Sequence, residues 1–317
     1  MRRRSTGRGL SRRAEALRGR SVAAGAEVEF SPVSGARAKQ WVVAACGCSL
    51  LLGAASVHAQ QRPLVTEDPE GIGAGRVLVE AGFEARWNEP FPVSGLDGTL
   101  LRAPIVGVSV GLSSIAEIQV DGGAQHLHIT GRRDAPLSSL VTAGGDWTSD
   151  ADDLVVATKI RMTPERQRWP ALGARLATRL PNASTDTGLG VNTTDFFVSV
   201  LAGKGLGATR VVGNLGLGIL SDPTEPRQND VITYGLSIAL AALDRAEVVA
   251  EVNGWQNIRR NDVPPGTNSR GLARVGARMP VGKGRFDAAL LFGLTSRDPC
   301  AGLAVGYTRV FDAFRVP

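Results

Sequence analysis

The sequence predicts an all-β protein: a transmembrane antiparallel up-and-down β-barrel of about 12 strands. Three observations support this fold class, namely short segments of alternating polarity, connections that alternate in length, and an export signal at the N-terminus. Hydrophobic residues make up 43% of the 317 residues, and 39 residues are glycine. This composition is typical of a folded β protein and not of a disordered chain.

The segment GRVLVEAGFEARW at 75–87 shows the pattern that later segments repeat. Val77, Val79 and Phe83 fall on one face of an extended strand, and Glu80 and Glu84 fall on the other. In a soluble sandwich the apolar face would turn inward. In a barrel that closes within lipid, the apolar face turns outward and the carboxylates face a lumen.

Eleven further segments alternate in the same way, and their connections are long and short in turn. Short turns in outer-membrane barrels lie in the periplasm and long loops lie outside the cell, so an even strand number places both termini in the periplasm. A soluble barrel has no reason to separate its loops by length, and the membrane barrel is therefore favoured. The predicted strands are 75–87, 106–112, 116–121, 154–162, 172–180, 195–202, 211–219, 234–240, 247–253, 273–278, 286–294 and 303–311.

The N-terminus reads as an export signal. A basic stretch precedes an apolar run at 41–57, and Val57-His58-Ala59 ends it with small residues at the spacing of a signal peptidase site. We expect cleavage between Ala59 and Gln60. The predicted organisation is an N-terminal extension and signal peptide at 1–59, a periplasmic segment at 60–75, a barrel at 76–311 and a C-terminal tail at 312–317.

Charge and cysteine content exclude several classes of protein. The net charge is +6, but ten of the 36 basic and three of the 30 acidic residues lie in residues 1–39, which leaves 26 basic and 27 acidic residues. The mature body is near neutral, so no nucleic-acid partner is predicted. Cys46 and Cys48 leave with the leader and Cys300 remains alone, which excludes an intramolecular disulfide. No cofactor, metal site or catalytic residue is predicted.

The polar strand faces carry charges that a barrel would gather in its lumen. They suit either a charged constriction that selects permeants or a cross-strand lattice of salt bridges that fills a narrow barrel. We expect Glu80 and Glu84 to pair with basic side chains across the barrel. The predicted lumen-lining residues are Glu80, Glu84, Glu117, Asp121, Lys159, Arg161, Arg175, Arg179, Asp195, Glu247, Glu251, Arg274, Arg278 and Asp287.

His126 and His128 lie two residues apart on one face of an extended segment. Either could serve as the base of a barrel hydrolase. Neither is accompanied by a nucleophile or carboxylate in a recognisable motif, so the pattern favours a polar strand extension or loop.

Two blocks of sequence resemble a known family. They are RPLVTED at 62–68 with EAGF at 80–83, and LPNAS at 180–184 with TDFF at 194–197. These blocks resemble the outer-membrane transporter family associated with the meta-pathway of phenol degradation, and the resemblance extends loosely over 62–311. It implies a barrel that passes small hydrophobic or aromatic compounds.

We therefore expect a monomeric barrel of the bacterial outer membrane that acts as a passive channel or uptake protein, without catalysis. Its expected partners are outer-membrane lipid, a small-molecule permeant and the outer-membrane assembly machinery. The alternatives are a barrel enzyme acting on lipid, and a plugged barrel with a structural or partner-binding role.

Overall fold

A computed structural model describes residues 62–243 and 245–315. The predicted leader, its cleavage site at Ala59 and Gln60, and the last two residues of the predicted tail lie outside the described residues. Among the residues described, no helix is long and apolar enough to cross a membrane.

The described chain forms thirteen strands and one short 3-10 helix, Ser138–Leu140. Each barrel strand pairs antiparallel with the next, and the pairing of the first strand with the last closes the sheet. The strands are β1 Arg76–Phe91, β2 Leu96–Gly111, β3 Ala116–Arg132, β4 Trp147–Ala151, β5 Leu154–Thr163, β6 Ala171–Leu180, β7 Asp195–Leu206, β8 Thr209–Ser221, β9 Gln228–Leu243, β10 Ala246–Asn257, β11 Arg270–Val281, β12 Gly284–Gly293 and β13 Ala301–Asp312.

Twelve of these strands make the barrel, and β4 stands beside it. β3 is long enough to pair with β5 through its first half and with β4 through its second half. β2 pairs with both β1 and β3, so the barrel closes without β4. The prediction of an antiparallel all-β barrel of about 12 strands is confirmed.

The connections define two ends of the barrel. Short turns at 112–115, 164–170, 207–208 and 282–283 lie at one end, which we call the short-turn end. Connections at 181–194, 222–227, 258–269 and 294–300 lie at the other, the long-loop end, together with the segment that carries β4. Connection lengths follow the predicted alternation only in part, because 164–170 at the short-turn end has seven residues and 222–227 at the long-loop end has six.

The first connection differs from the prediction. The alternating pattern predicts that the first strand ends at Trp87, but β1 continues to Phe91 and turns within residues 92–95. The ladder between β1 and β2 shifts register between Arg86 and Glu89, and Asn88 has a positive φ of 56°. Such a bulge inserts a residue and breaks the two-residue period, so the pattern ends before the strand does.

The outer surface of the barrel is apolar on every strand. On β10, for example, Val248 and Val252 are exposed, whereas Glu251 between them is buried on the inner side. Apolar surface that runs round a whole barrel is the surface that lipid covers. One exposed apolar or aromatic residue from each barrel strand illustrates the belt: Phe83, Val106, Ile118, Val156, Leu176, Val198, Leu215, Leu236, Val252, Val275, Leu290 and Tyr307.

A charge in the middle of this belt should destabilise the folded barrel. Leu215 is 63% exposed at the centre of β8, and Leu206 is 59% exposed at the short-turn end of β7. We expect Leu215→Arg to lower the free energy of unfolding in lipid vesicles by about 2–4 kcal/mol, and Leu206→Arg by about 0–1 kcal/mol, because the cost depends on depth in the bilayer. Urea titration of the two variants measures the difference, and equal losses would contradict a lipid-facing belt.

Candidate functional site

The first described residues lie inside the barrel. We call residues 62–72 the lumen segment. It follows the inner wall from Arg62, which donates to the carbonyl of Val305 on β13 at 3.1 Å, to Ile72, whose N–H donates to Glu117 on β3 at 2.9 Å. The sequence assigned residues 60–75 to a periplasmic segment, and the structure instead places most of it within the lumen.

Side chains of the wall hold the backbone of the lumen segment. Glu251 on β10 accepts the N–H groups of Val65 at 2.8 Å and Thr66 at 2.5 Å. Asn214 on β8 accepts the N–H of Glu67 at 2.7 Å and donates to its carbonyl at 2.8 Å. Because buried backbone groups need hydrogen-bond partners, these wall side chains replace the partners that a neighbouring strand would supply.

The acidic residues of the lumen segment neutralise the basic row on β5 and β6. Lys159 is 1% exposed, and its Nζ lies 2.9 Å from Glu117 and 3.4 Å from Glu67. Glu67 also lies 3.2 Å from Nε of Arg175. A buried ammonium group is tolerated only when it is paired, so Lys159 ties the lumen segment to the wall.

Further ion pairs hold the segment on both sides of Glu67. Asp68 receives two hydrogen bonds of 2.8 Å from Arg210, and Glu70 lies 2.6 Å from Arg161. At the other end, Nε of Arg62 lies 3.7 Å from the buried carboxylate of Asp287. The segment is therefore bound along its whole described length to strands from both halves of the barrel.

The fourteen predicted lumen residues lie on the inward faces of their strands. Most of their partners, however, are neighbours along the wall. Four of the pairs are directly opposite in the strand ladders: Glu117 with Lys159, Arg179 with Asp195, Glu247 with Arg278, and Glu251 with Arg274.

Glu80 and Glu84 of β1 were expected to pair with basic side chains across the barrel, and the structure shows this only in part. Glu84 contacts Arg86 on its own strand and lies 3.9 Å from both Arg102 on β2 and Arg274 on β11. Glu80 accepts a hydrogen bond of 3.0 Å from the hydroxyl of Thr308, on the adjacent strand β13. The charges thus form a lattice that runs along the wall and is completed by the lumen segment.

A cavity of about 650 Å³ lies at the long-loop end of the lumen. Residues 62–65 of the lumen segment form part of its lining. Several of its charged side chains occur in pairs, including Arg179 with Asp195, and Arg270 with Glu89 at 2.6 Å. The apolar part of the lining includes Phe91, Leu100, Leu189, Phe197, Trp255 and Leu272.

Several lumen residues were missed by sequence reasoning. Glu67, Asp68 and Glu70 were assigned to a separate segment, and Asn214 and Arg210 were not recognised as its partners. One signal could have located the acidic residues: the lumen faces of β5 and β6 carry a row of basic side chains whose predicted cross-strand partners do not balance them. A nearby cluster of carboxylates is the expected counterpart of such a row.

His126 and His128 do not belong to the lumen. Both lie on the outward face of β3, since the alternating residues Leu127 and Ile129 are buried. Among the residues described, no group of three or more His, Cys, Asp or Glu side chains could hold a metal ion.

Comparisons with known proteins agree with this architecture. No family model and no curated protein sequence matches the chain. The chain is similar to the crystal structure of an outer membrane channel from Pseudomonas putida F1, with 16% identity and a TM-score of 0.57 over 77% of this chain and 98% of that one. It also resembles the translocator domain of the autotransporter NalP from Neisseria meningitidis, with 14% identity and a TM-score of 0.45 over 86% and 98% of the two chains. The first of these likenesses shows the fold, which is that of an outer-membrane barrel.

Loss of the buried ammonium group of Lys159 should destabilise the barrel more than loss of a partly exposed one. Lys159→Met leaves Glu67 and Glu117 buried without it, and we expect a loss of about 3–5 kcal/mol in the free energy of unfolding. The matched control is Lys204→Met, because Lys204 pairs with Glu165 at 3.1 Å near the surface of the short-turn end. The control should lose about 1 kcal/mol or less. Urea titration in detergent micelles compares the two, and a similar loss in both would show that the buried pairs do not anchor the lumen segment.

Proposed function

We propose that this protein is a channel of the bacterial outer membrane that passes small hydrophobic or aromatic molecules. The observation that carries the proposal is the 650 Å³ cavity within a closed barrel whose outer belt is apolar. Pockets of about 300–1,000 Å³ are typical for small organic ligands. The resemblance of 62–68 and 180–184 to transporters of the phenol meta-pathway supports an aromatic permeant.

The lining of the cavity suits an uncharged molecule. Phe91, Leu100, Phe197 and Trp255 offer apolar and aromatic surface. Arg86, Arg179 and Arg270 in the lining are already paired with carboxylates, so a charged solute would gain little from them on entering. An uncharged aromatic compound keeps these pairs intact and replaces water against the apolar side chains.

Passage through the lumen requires the lumen segment to move. The segment contacts strands from both halves of the barrel and lies between the cavity and the short-turn end. Its ties to the wall are hydrogen bonds and ion pairs, with no covalent bond, and a shift of residues 62–70 would therefore open a path. In this proposal the segment controls the rate of passage.

The same ties favour a second candidate function, a plugged barrel with a structural or partner-binding role. Buried, hydrogen-bonded charges such as Lys159 and Glu117 are costly to separate. If they never separate, the barrel remains closed. The two candidates differ in whether a solute crosses a membrane that contains the purified protein.

A reversible disulfide can test whether the segment moves. The Cβ of Thr66 lies 3.4 Å from the position that a Cβ would occupy at Gly235 on β9, close to the separation found in disulfides. We expect the double variant Thr66→Cys and Gly235→Cys, in a Cys300→Ser background, to slow the flux of a small phenol into proteoliposomes when oxidised. Reduction should restore the flux, because it releases the segment from the wall.

The controls for this experiment are the Cys300→Ser parent and each single-cysteine variant. Their flux should not respond to oxidation. If the parent shows no flux above empty liposomes, the channel proposal is wrong and the plugged barrel is favoured. Flux that is equal in the oxidised and reduced double variant would contradict movement of the segment at Thr66.

The proposed setting follows from the same features. The predicted leader at 1–59 would export the chain, the assembly machinery would insert it, and the outward belt would contact outer-membrane lipid. The protein would act as a monomer, since one chain closes the barrel by itself.

A further inference from the structure

A serine and a histidine are paired on the outward face of the barrel. The hydroxyl of Ser149 on β4 lies 2.8 Å from Nδ1 of His126 on β3. The two residues are directly opposite in the antiparallel ladder of β3 and β4. Ser149 is exposed and His126 is half-buried, so a molecule outside the barrel can reach the pair.

A backbone carbonyl orients the histidine ring. Nε2 of His126 lies 3.3 Å from the carbonyl oxygen of Ala103 on β2. A carbonyl oxygen can only accept, so Nε2 carries the proton and Nδ1 presents its lone pair to Ser149. The ladder between β2 and β3 shifts register between Arg102 and Ile105. Pro104 lies within this shift and has no N–H, which explains the interruption of the ladder beside the carbonyl of Ala103.

The strand that carries the serine is held in place. Asp150 follows Ser149 and accepts hydrogen bonds of 2.7 Å from the N–H of Ser184 and the hydroxyl of Thr187. These bonds fasten β4 to the long loop between β6 and β7. A nucleophile on a fixed strand keeps its distance to the base, which general-base catalysis requires.

A backbone donor lies beside the serine. Ile129 and Asp152 donate to Asp146 and Gly123 in the ladder of β3 and β4, so the pair of His126 and Ser149 is one of the non-hydrogen-bonded pairs. The N–H of Ser149 therefore points away from β3. Among the described strands β4 pairs with β3 alone, and this N–H lies on its open edge.

The pair lies at the border of the apolar belt. His126 is opposite Leu101, and Leu101 is opposite Ala85, two residues before the exposed Trp87. Tryptophan is typical of the boundary between lipid and water. Leu101 is 38% exposed beside the histidine, and Trp147 is 63% exposed on the same strand as the serine. Lipid headgroups would lie at this level, with acyl chains along the belt below.

We propose that Ser149 and His126 form a hydrolytic site for lipid acyl esters at the long-loop border of the membrane. His126 Nδ1 takes the proton of the Ser149 hydroxyl as its oxygen attacks the ester carbonyl. The ester C–O bond breaks, the alcohol leaves with that proton, and the acyl group remains on Ser149. Water then attacks this acyl ester, which releases a fatty acid and restores the serine. The site is separate from the lumen and needs no movement of the lumen segment.

The test uses the full chain folded in detergent micelles, with p-nitrophenyl palmitate in the micelle as substrate. We expect Ser149→Ala and His126→Gln each to reduce hydrolysis by about 100-fold or more, because a positioned base contributes at least that factor. The matched controls are His128→Gln and Ser114→Ala. The ring of His128 packs against Trp147 with ring centres 4.8 Å apart and a tilt of 45°, and Ser114 lies at the short-turn end, so both controls should retain activity.

Labelling with a fluorophosphonate gives a second measurement that does not depend on the folding of a variant. Mass spectrometry should locate the label on Ser149 of the unmodified sequence. The label should be absent from His126→Gln. A difference in migration between unboiled and boiled protein on a denaturing gel should show that this variant is folded. Hydrolysis no faster than in protein-free micelles, a label on another residue, or full activity in Ser149→Ala would overturn the site. If the protein hydrolysed a soluble butyrate ester but not the palmitate ester in the micelle, the proposal of a lipid substrate would be wrong.

Discussion

The interior of this barrel depends on the burial of charge, and Lys159 shows the constraint most directly. Its ammonium group is almost fully buried and is held by Glu117 from the next strand and by Glu67 from the lumen segment. Successive side chains of a barrel strand point alternately outward and inward. Where the outward face is apolar, a basic residue can lie only on the inward face. Since an unpaired buried charge is costly, the wall needs carboxylates that its own strands supply only in part. The lumen segment supplies the rest.

The lumen segment connects stability and function. Its acidic residues complete the lattice on β3, β5, β6 and β8, and its residues 62–65 line the cavity at the long-loop end. The contacts that stabilise the closed barrel are thus the contacts that a permeant must disturb. The ion pairs also explain how a narrow, charged lumen can contain an apolar pocket: the charges satisfy one another, and the apolar side chains would be left to contact the proposed permeant.

The outer face follows a different rule. Along the belt valine, leucine and phenylalanine side chains are exposed, and a polar side chain in such an apolar surface would need a partner of its own. His126 and Ser149 provide this for each other at the border of the belt, with the carbonyl of Ala103 as the third member. Their position outside the lumen makes any chemistry at this pair independent of transport. In the proposed roles, the one chain therefore offers an inner surface for a small molecule and an outer surface for lipid.

The sequence by itself determined the strands, their two faces and the barrel class, because the orientation of successive side chains is local and has a period of two residues. It placed Glu80, Lys159 and Arg274 on the inner wall without knowledge of their partners. It missed the end of β1, where the bulge near Asn88 breaks the period, and also the first ten residues of β2, the second part of β3 and all of β4. Only the tertiary structure decided that residues 62–72 enter the lumen and that Ser149 meets His126. Glu67 and Lys159 are 92 residues apart in the chain, and His126 and Ser149 are 23 apart. The lumen segment reaches Lys159 because it folds back into the barrel, and Ser149 meets His126 through the ladder of β3 and β4. The period of a single strand encodes neither contact.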